Sequence, residues 1–328
     1  QVNDRVFNLE GQVEYGGCLR CVQVDAEGIH CIEVPNEVYK TPEMHSEQTV
    51  AESSVADVIM ALRRNKYIQE KKFGNISSFN YTDKAFYDRV WDAQTTKARG
   101  LYLDTMKGKV TARAYDKFFN INERPETKFE MLQHKLQFPV TAYVKENGFL
   151  GIASYDEYED TLFLASKSTI DSQYAGYFQE MVRKKVTPEH LEEMKRYCKE
   201  NEVSFVFECV DMENDPHIIE YPESRLFLLD IVYNKMEFEK YGYEDMCHVA
   251  GRLGLEPKER AAELASWQEF FDWYYEVMEA DYEYQGRKIE GFVIEDSAGY
   301  MTKLKLTYYN FWKFMRSVSH EAIRKGYI

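Results

Sequence analysis

Two lysines alternate with apolar residues near the end of the chain. Lys303 and Lys305 lie in the run MTKLKL. Because successive side chains of a strand point to opposite faces, this spacing places both ammonium groups on one face. If that face is buried, the pair needs an anion, and a polyphosphate would satisfy it. If the face is solvated, the run is an ordinary amphipathic edge strand. This strand alone leaves both interpretations open.

A third lysine stands at the end of an apolar run. Lys145 closes FPVTAYVK and is followed by Glu146, Asn147 and Gly148 before the chain becomes apolar again. The glycine indicates a tight turn and therefore a hairpin, for which any polar residue at 145 would be sufficient. The alternative is a reactive amine presented at a strand end.

Two acidic residues interrupt or open apolar strands. Glu208 lies within SFVFECV, and Glu290 directly precedes GFVI. A carboxylate inside such a strand needs a cation or a metal ion as its partner, so a structural salt bridge is the alternative to a functional role. Glu290 could also be an exposed residue. Arg99 and Lys117 stand beside apolar strands and could equally be surface charges.

Strands with helices inserted between them must position these side chains. Strands are predicted within 137–167 and at 204–210, 226–233, 290–296 and 301–307, and helices at 47–70, 172–185, 188–201, 243–253, 257–280 and 309–325. This order, without strict alternation of strand and helix, predicts an α+β fold with mainly antiparallel sheets flanked by helices. In the last helix, the helical spacing of five apolar residues predicts a face that packs on a sheet; these are Phe311, Phe314, Met315, Val318 and Ala322.

Two domains are predicted. Residues 1–46 form an N-terminal extension whose alternating apolar residues indicate a hairpin with its turn at 26–28. Residues 47–328 form the main domain, which carries all the candidate site residues.

Composition limits the classes of function. The 328 residues include 41 Lys and Arg against 56 Asp and Glu, a net charge of −15. Nonspecific binding to a phosphate backbone relies on an excess of Lys and Arg, so any such binding must use local basic clusters. No run approaches the ~20 apolar residues of a membrane span, and no N-terminal signal pattern is present. We therefore predict no membrane partner and a cytoplasmic location.

Taken in order, these residues resemble a known family. KENG at 145–148, Ser166-Lys167, FVFE at 205–208, EGFV at 290–293 and KLK at 303–305 resemble motifs I, Ia, III, IV and V of the covalent nucleotidyltransferases, the ligases and capping enzymes. ARGLYLD at 98–104 and DKFFNINE at 116–123 resemble the phage-type RNA ligase 1 branch and the ligase domain of fungal tRNA ligases. The resemblance extends from 71 to 313. A single short motif is weak, whereas seven in order are specific.

The resemblance implies an ATP-dependent RNA ligase with the corresponding nucleotidyltransferase fold. Its RNA substrate carries 5′-phosphate and 3′-hydroxyl ends, which are joined through lysyl-AMP and RNA-adenylate intermediates in RNA repair or sealing of the tRNA-splicing type. ATP and Mg²⁺ or Mn²⁺ are the implied cofactors.

By the same resemblance, Lys145 is the nucleophile. The remaining catalytic residues are Glu208, Glu290, Lys303 and Lys305. Residues that contact the nucleotide are Arg99, Lys117, Val144, Glu146, Gly148, Lys167 and Val293, with an apolar residue of LFLLDI opposite Val293 on the adenine ring. Residues assigned to the metal are Glu208, Glu290 and Asn147. An amine must be neutral to attack, and burial beside Lys303 and Lys305 is expected to lower the pKa of Lys145.

One residue departs from the common motif. Asn147 stands where many relatives carry Asp, although fungal tRNA ligases resemble this chain in having Asn there. We therefore expect activity, with the metal arrangement left open. The alternatives are a DNA ligase, a capping-type guanylyltransferase, or a noncatalytic nucleic-acid-binding scaffold.

Residues 5–35 resemble the last strands of calcineurin-type metallophosphatases. This resemblance implies that residues 1–46 are the tail of an upstream phosphatase, and that a kinase-phosphatase module of a longer RNA-repair protein is a partner of this domain. No metallophosphatase ligand motif is present, so we expect no phosphatase activity from this chain.

Overall fold

A computed structural model describes Val2–Asn3, Val6–Phe7, Cys18–Asp25, Gly28–Pro35 and residues 54–325. The chain separates into two compact units, Gln1–Glu52 and Ser53–Ile328. In the first unit, β1 (Val2–Asn3) pairs with β2 (Val6–Phe7), and β3 (Cys18–Asp25) pairs with β4 (Gly28–Pro35). Both pairs are antiparallel, and Asp25 lies opposite Gly28. The predicted hairpin is therefore present.

The second unit contains three sheets. A four-stranded sheet has the order β5 (Ile68–Phe73), β6 (Ile76–Tyr81), β7 (Leu101–Asp104), β8 (Lys109–Arg113). A five-stranded sheet has the order β11 (Thr161–Ser166), β10 (Phe149–Asp156), β12 (Val203–Val210), β13 (Arg225–Tyr233), β14 (Glu256–Pro257). Another four-stranded sheet has the order β15 (Arg260–Leu264), β9 (Val140–Lys145), β16 (Gly291–Asp296), β17 (Met301–Lys305). Only β13 and β14 pair in parallel among these strands, so the predicted α+β class is confirmed.

Helices are inserted between the strands in the described part of the chain. They are α1 (Val55–Arg64), α2 (Asp83–Tyr87), α3 (Ala93–Lys97), α4 (Phe129–Lys135), α5 (Gln173–Lys185), α6 (Pro188–Asn201), α7 (Tyr243–Arg252), α8 (Trp267–Val277) and α9 (Thr307–Arg324). Apolar residues of α5, α6 and α7 pack on the five-stranded sheet, and those of α4 and α8 pack on the sheet that contains β9. Side chains from all three sheets, including Tyr102, Val206 and Met301, meet in one further cluster.

Three sequence predictions differ from the structure. The predicted helix at 47–70 ends earlier, because α1 ends at Arg64 and β5 already starts at Ile68; residues 47–53 of this prediction lie outside the described residues. The predicted helix at 257–280 is α8 alone, because β14 and β15 pair with the edges of two sheets. The apolar face of α9 is not packed on a sheet, since Phe311 and Phe314 are 54% and 63% exposed.

Within the part of the chain that the structure describes, no helix has both the length and the apolar character that a membrane crossing demands.

Candidate active site

Strand pairing brings together the charges of Lys145, Glu290 and Lys305. In β16, Gly291 lies between Lys145 of β9 and Lys305 of β17. A side chain at Gly291 could not be accommodated, because its Cβ would lie 1.9 Å from the carbonyl oxygen of Leu304. This close approach places Glu290, the preceding residue, between the two lysines.

Glu290 is the centre of this cluster. Its Oε2 accepts hydrogen bonds from Lys145 Nζ at 3.0 Å and Asn147 Nδ2 at 2.9 Å, and Lys305 Nζ lies 2.7 Å from its Oε1. The side chain is only 3% exposed. Burial alone would raise the pKa of Glu290, but Lys145 and Lys305 outweigh it and hold the pKa below its ordinary value. The carboxylate is therefore ionised.

The pKa of Lys145 shifts in the direction opposite to the one that the sequence predicts. Burial favours a lower pKa, but the Glu290 and Glu208 carboxylates outweigh it and hold the pKa of Lys145 above its ordinary value. The prediction of a lowered pKa for Lys145 is wrong, because the nearest charges are carboxylates rather than lysines. Lys145 is therefore an ammonium group in this arrangement.

Glu208 approaches Lys145 from the facing sheet. Its position in β12 lies opposite Leu150 of β10, and its Oε1 accepts from the backbone N–H of Gly148 at 2.9 Å and lies 3.9 Å from Lys145 Nζ. Gly148 has no room for a Cβ, which would lie 2.1 Å from the Cys209 carbonyl oxygen. The turn after Lys145 therefore requires glycine and fixes the position of Glu208.

A group of cations lies next to this cluster. Burial, together with Lys117, Arg99 and Lys145, lowers the pKa of Lys303 well below its ordinary value. Burial also lowers the pKa of Lys117, and Arg99 and Arg124 contribute to it. Arg99 Nη1 is buried without a hydrogen-bond partner in the described part of the chain. Such a group of partly unpaired cations suits an anion such as a phosphate chain.

Seven of the predicted residues line one pocket between the five-stranded sheet and the sheet that contains β9: Arg99, Val144, Lys145, Glu146, Glu208, Val293 and Lys303. Leu229 of the predicted run LFLLDI lines it as well. Apolar side chains from two sheets thus share a pocket with the charged groups. Lys117 lines a neighbouring cavity, and Lys167 lines a separate groove.

Sequence reasoning missed Tyr221. Its hydroxyl donates to Glu146 Oε2 at 2.7 Å and accepts from the backbone N–H of Asn147 at 2.8 Å, while Arg287 Nη1 lies 3.4 Å from Glu146 Oε1. Burial is the main reason that the pKa of Glu146 is raised. Tyr221 therefore holds the residues that follow Lys145. It lies between β12 and β13, where no periodic pattern marks it.

We expect Tyr221→Phe to destabilise the protein. The change leaves a buried N–H and a carboxylate oxygen without their partner, at a cost of about 2 to 4 kcal/mol in the free energy of unfolding. Denaturant unfolding measures it. Tyr155→Phe is the control, because its hydroxyl bonds the exposed Asp160 and should cost less than about 0.5 kcal/mol. Equal effects of the two changes would contradict the role of Tyr221 as a support for Glu146 and Asn147.

Asn147 uses both ends of its amide within the protein. Nδ2 donates to Glu290, and Oδ1 accepts from the backbone N–H of Ile219 at 3.2 Å. In this arrangement Asn147 orients Glu290 rather than offering a free oxygen to a metal ion. Its assignment as a metal ligand therefore stays a prediction that requires a rearrangement.

We expect Asn147→Asp to make stability depend on a divalent cation. The new carboxylate faces Glu290, and the repulsion should lower the free energy of unfolding by about 1 to 3 kcal/mol in chelator. Mg²⁺ should restore it, which thermal unfolding with and without Mg²⁺ measures. Asn65→Asp is the control, since its Nδ2 donates to the neutral Gln94 amide. Unchanged stability in chelator would contradict the contact with Glu290.

The carboxylates suit a hard divalent cation through part of its coordination shell. Both contacts of Glu208 use Oε1, which leaves Oε2 for a ligand. No set of three or more His, Cys, Asp or Glu in the described ranges is arranged to hold an ion. Mg²⁺ commonly takes one or two protein carboxylates and completes its shell with water and substrate phosphates. Glu208 fits that mode as it stands, whereas Lys145, Asn147 and Lys305 engage both oxygens of Glu290.

Solved structures share the fold. A protein of Aquifex aeolicus that carries the name ATP-dependent DNA ligase aligns with a TM-score of 0.53 and 14% identity, over 77% of this chain and 63% of that one. An archaeal ATP-dependent RNA ligase aligns with a TM-score of 0.51 and 12% identity, over 77% of this chain and 61% of that one. The fold is therefore that of the ligase-type nucleotidyltransferases.

The sequence comparison identifies the family. The profile of the RNA ligase family matches residues 97–309, more than half of the chain. The chain therefore belongs to the RNA ligase family, as its motifs predict.

Curated relatives agree with this family. The tRNA ligase of Candida albicans is 26% identical over 223 residues, which cover 60% of this chain and 26% of that protein. The tRNA ligase 1 of Schizosaccharomyces pombe is 28% identical over 141 residues, 38% of this chain and 17% of that protein. The chain thus matches about a quarter or less of the length of these relatives.

Proposed function

We propose that this chain is an ATP-dependent RNA ligase domain that joins 5′-phosphate and 3′-hydroxyl RNA ends through lysyl-AMP and RNA-adenylate intermediates. The observation that carries the proposal is the position of Lys145, at a strand end, between two carboxylates and beside a group of cations. Membership of the RNA ligase family supports RNA as the substrate.

In the first step, Lys145 Nζ attacks the α-phosphorus of ATP. An Nζ–phosphorus bond forms, the bond between the α-phosphorus and the bridging oxygen breaks, and pyrophosphate leaves with the electron pair. Lys303, Lys117 and Arg99 bind the phosphates and stabilise the charge on the leaving group. Lys303 is suited to this task, because the charges that act most strongly on it are the cations Lys117, Arg99 and Lys145.

Lys145 must lose a proton to solvent, to which its side chain is 20% exposed, before it attacks. The two carboxylates that hold it as an ammonium group, Glu208 and Glu290, are also the groups that a divalent cation would engage. A bound Mg²⁺ or Mn²⁺ would supply positive charge that stabilises the phosphates. Lys305, which shares Glu290 with Lys145, keeps that carboxylate ionised. Carboxylates occupied in this way no longer favour the charged amine.

The adenine ring is proposed to lie between Val293 and Leu229, which line the pocket from two different sheets. AMP then passes from Lys145 to the RNA 5′-phosphate, and the 3′-hydroxyl displaces AMP to form the phosphodiester. RNA repair or tRNA-splicing-type sealing is the proposed setting. The kinase-phosphatase partner, the role of residues 1–46 as its tail, and the cytoplasmic location belong to the same proposal.

Product formation tests the function. The protein, with ATP and Mg²⁺, should join or circularise a single-stranded RNA that carries a 5′-phosphate and a 3′-hydroxyl, and a substrate with a 3′-phosphate should accumulate RNA-adenylate instead. Joining of DNA with equal efficiency would favour a DNA ligase, and label transferred only from GTP would favour a capping enzyme. No covalent nucleotide with either ATP or GTP would favour a noncatalytic scaffold.

A further inference from the structure

A groove beside the active site carries Lys167, which the reaction proposed above does not use. The groove has a volume of about 410 Å³ and lies along β5, β6, the start of α2 and the segment after β11. Lys71, Lys84 and Lys167 line it together with Tyr81 and Asp83. It does not include Lys145, so it is distinct from the nucleotide pocket.

The groove has more positive than negative charge. Lys84 is paired with Asp88, but neither Lys71 nor Lys167 has a carboxylate within ion-pair distance in the part of the chain that the structure describes. Burial and then Arg99 lower the pKa of Lys167; Asp83 opposes them, and Lys71 adds a smaller lowering effect. An anion in the groove would relieve this repulsion. In a chain with a net charge of −15, such a local excess of lysines is informative.

Aromatic rings connect the groove to the catalytic cations. Lys167 Nζ lies 5.4 Å from the centre of the Tyr81 ring. The Tyr81 and Trp91 rings meet edge to face at 4.9 Å, and Trp91 meets Phe119 at 5.4 Å. Lys117 Nζ lies 4.4 Å from the centre of the Phe119 ring. A row of three rings thus runs from Lys167 in the groove to Lys117.

We propose that this groove binds the phosphate backbone of a single-stranded RNA end and leads that end to Lys145. Lysines that track a backbone beside aromatic rings that contact bases are the arrangement by which proteins hold single strands. The inference rests on the proposed function, because it names the path of the RNA to the same site. The other source of phosphate is the ATP triphosphate chain, and the experiment separates the two.

Adjacent lysines of β5 provide a matched pair of variants. Successive residues of a strand point to opposite faces, so Lys71 faces the groove and Lys72 shares the other face with Glu70. Both are exposed and pair with serines of β6, Ser78 and Ser77. Lys71→Glu and Lys72→Glu therefore change the net charge equally, and only the first changes the groove.

Binding is measured by fluorescence anisotropy with a labelled, 5′-phosphorylated, 3′-blocked single-stranded RNA of about 12 nucleotides, without ATP and over a series of salt concentrations. Lys71→Glu should weaken binding about tenfold and reduce the salt slope by about one, whereas Lys72→Glu should change affinity less than about twofold. Lys71→Ala should act in the same direction with a smaller effect.

Self-labelling with α-labelled ATP in the absence of RNA is the second readout, and Lys71→Glu should leave it unchanged. Equal RNA affinity of the two charge reversals would overturn the proposal. A loss of self-labelling in Lys71→Glu that matches its loss of RNA affinity would also overturn it, because the groove would then serve the nucleotide phosphates. Failure of the proposed function is recognised separately, as absence of self-labelling in the unmodified protein.

Discussion

Lys145→Arg should abolish self-labelling with α-labelled ATP, with a loss of at least about 10³-fold. Arginine retains the positive charge beside Glu290, so the ion pair and the fold should persist. Its guanidinium cannot become a neutral nucleophile at any accessible pH. A denaturing gel after incubation with labelled ATP and Mg²⁺ measures the covalent product.

Two further variants separate the loss of the Lys145 amine from the loss of its positive charge. Lys145→Ala should also lose labelling, but it removes one of the cations that hold Glu290 and should lower stability as well. Lys72→Ala, on the outer face of β5, is the control and should label as the unmodified protein does. Persistent labelling of Lys145→Arg would show that another residue carries the nucleotide.

Glu290→Gln should give the second large loss, about 10²-fold in the rate of self-labelling. The carboxylate holds Lys145, Lys305 and Asn147 at once. The amide that replaces it has one oxygen and no charge, so it cannot hold both ammonium groups or attract a divalent cation equally well. Single-turnover labelling over a range of Mg²⁺ concentrations measures the change.

The same variant tests the electrostatics of Lys145. Because Glu290 raises the pKa of Lys145, its removal should lower that pKa and move the rise of the labelling rate to lower pH. The free energy of unfolding should fall by about 1 to 3 kcal/mol, since two lysines lose a buried partner. Glu283→Gln is the control, because Glu283 pairs with Lys288 at the surface. A pH profile that does not move would contradict the assigned ion pair.

The sequence predicts which residues form the site better than it predicts how they meet. The alternation of Lys303 and Lys305 predicts that they share one face of a strand. The order of the motifs predicts which residues lie in the same site as Lys145. Neither pattern shows that β16 lies between β9 and β17, because that pairing joins residues about 145 positions apart and has no local signal. The charge state of Lys145 depends on this pairing, which explains why the predicted direction of its pKa is wrong.

The structure of some segments of the fold also depends on distant contacts that the local sequence does not reveal. Residues 257–264 contain good helix formers, yet Arg260–Leu264 forms the edge strand next to β9, and Glu256–Pro257 forms a short parallel strand beside β13. Edge pairing and the burial of Leu264 override local propensity there. Tyr221 lies in an irregular connection without periodicity, so only the three-dimensional contacts reveal that it supports Glu146 and Asn147.

The most direct test of the central claim is to locate the nucleotide on the protein. After incubation with ATP and Mg²⁺ and removal of free nucleotide, intact mass spectrometry should show an increase by one AMP, and peptide mapping should place it on Lys145. Pyrophosphate should reverse the modification, as expected for a lysyl-AMP intermediate. A modification on any other residue, or none with ATP, would contradict the account.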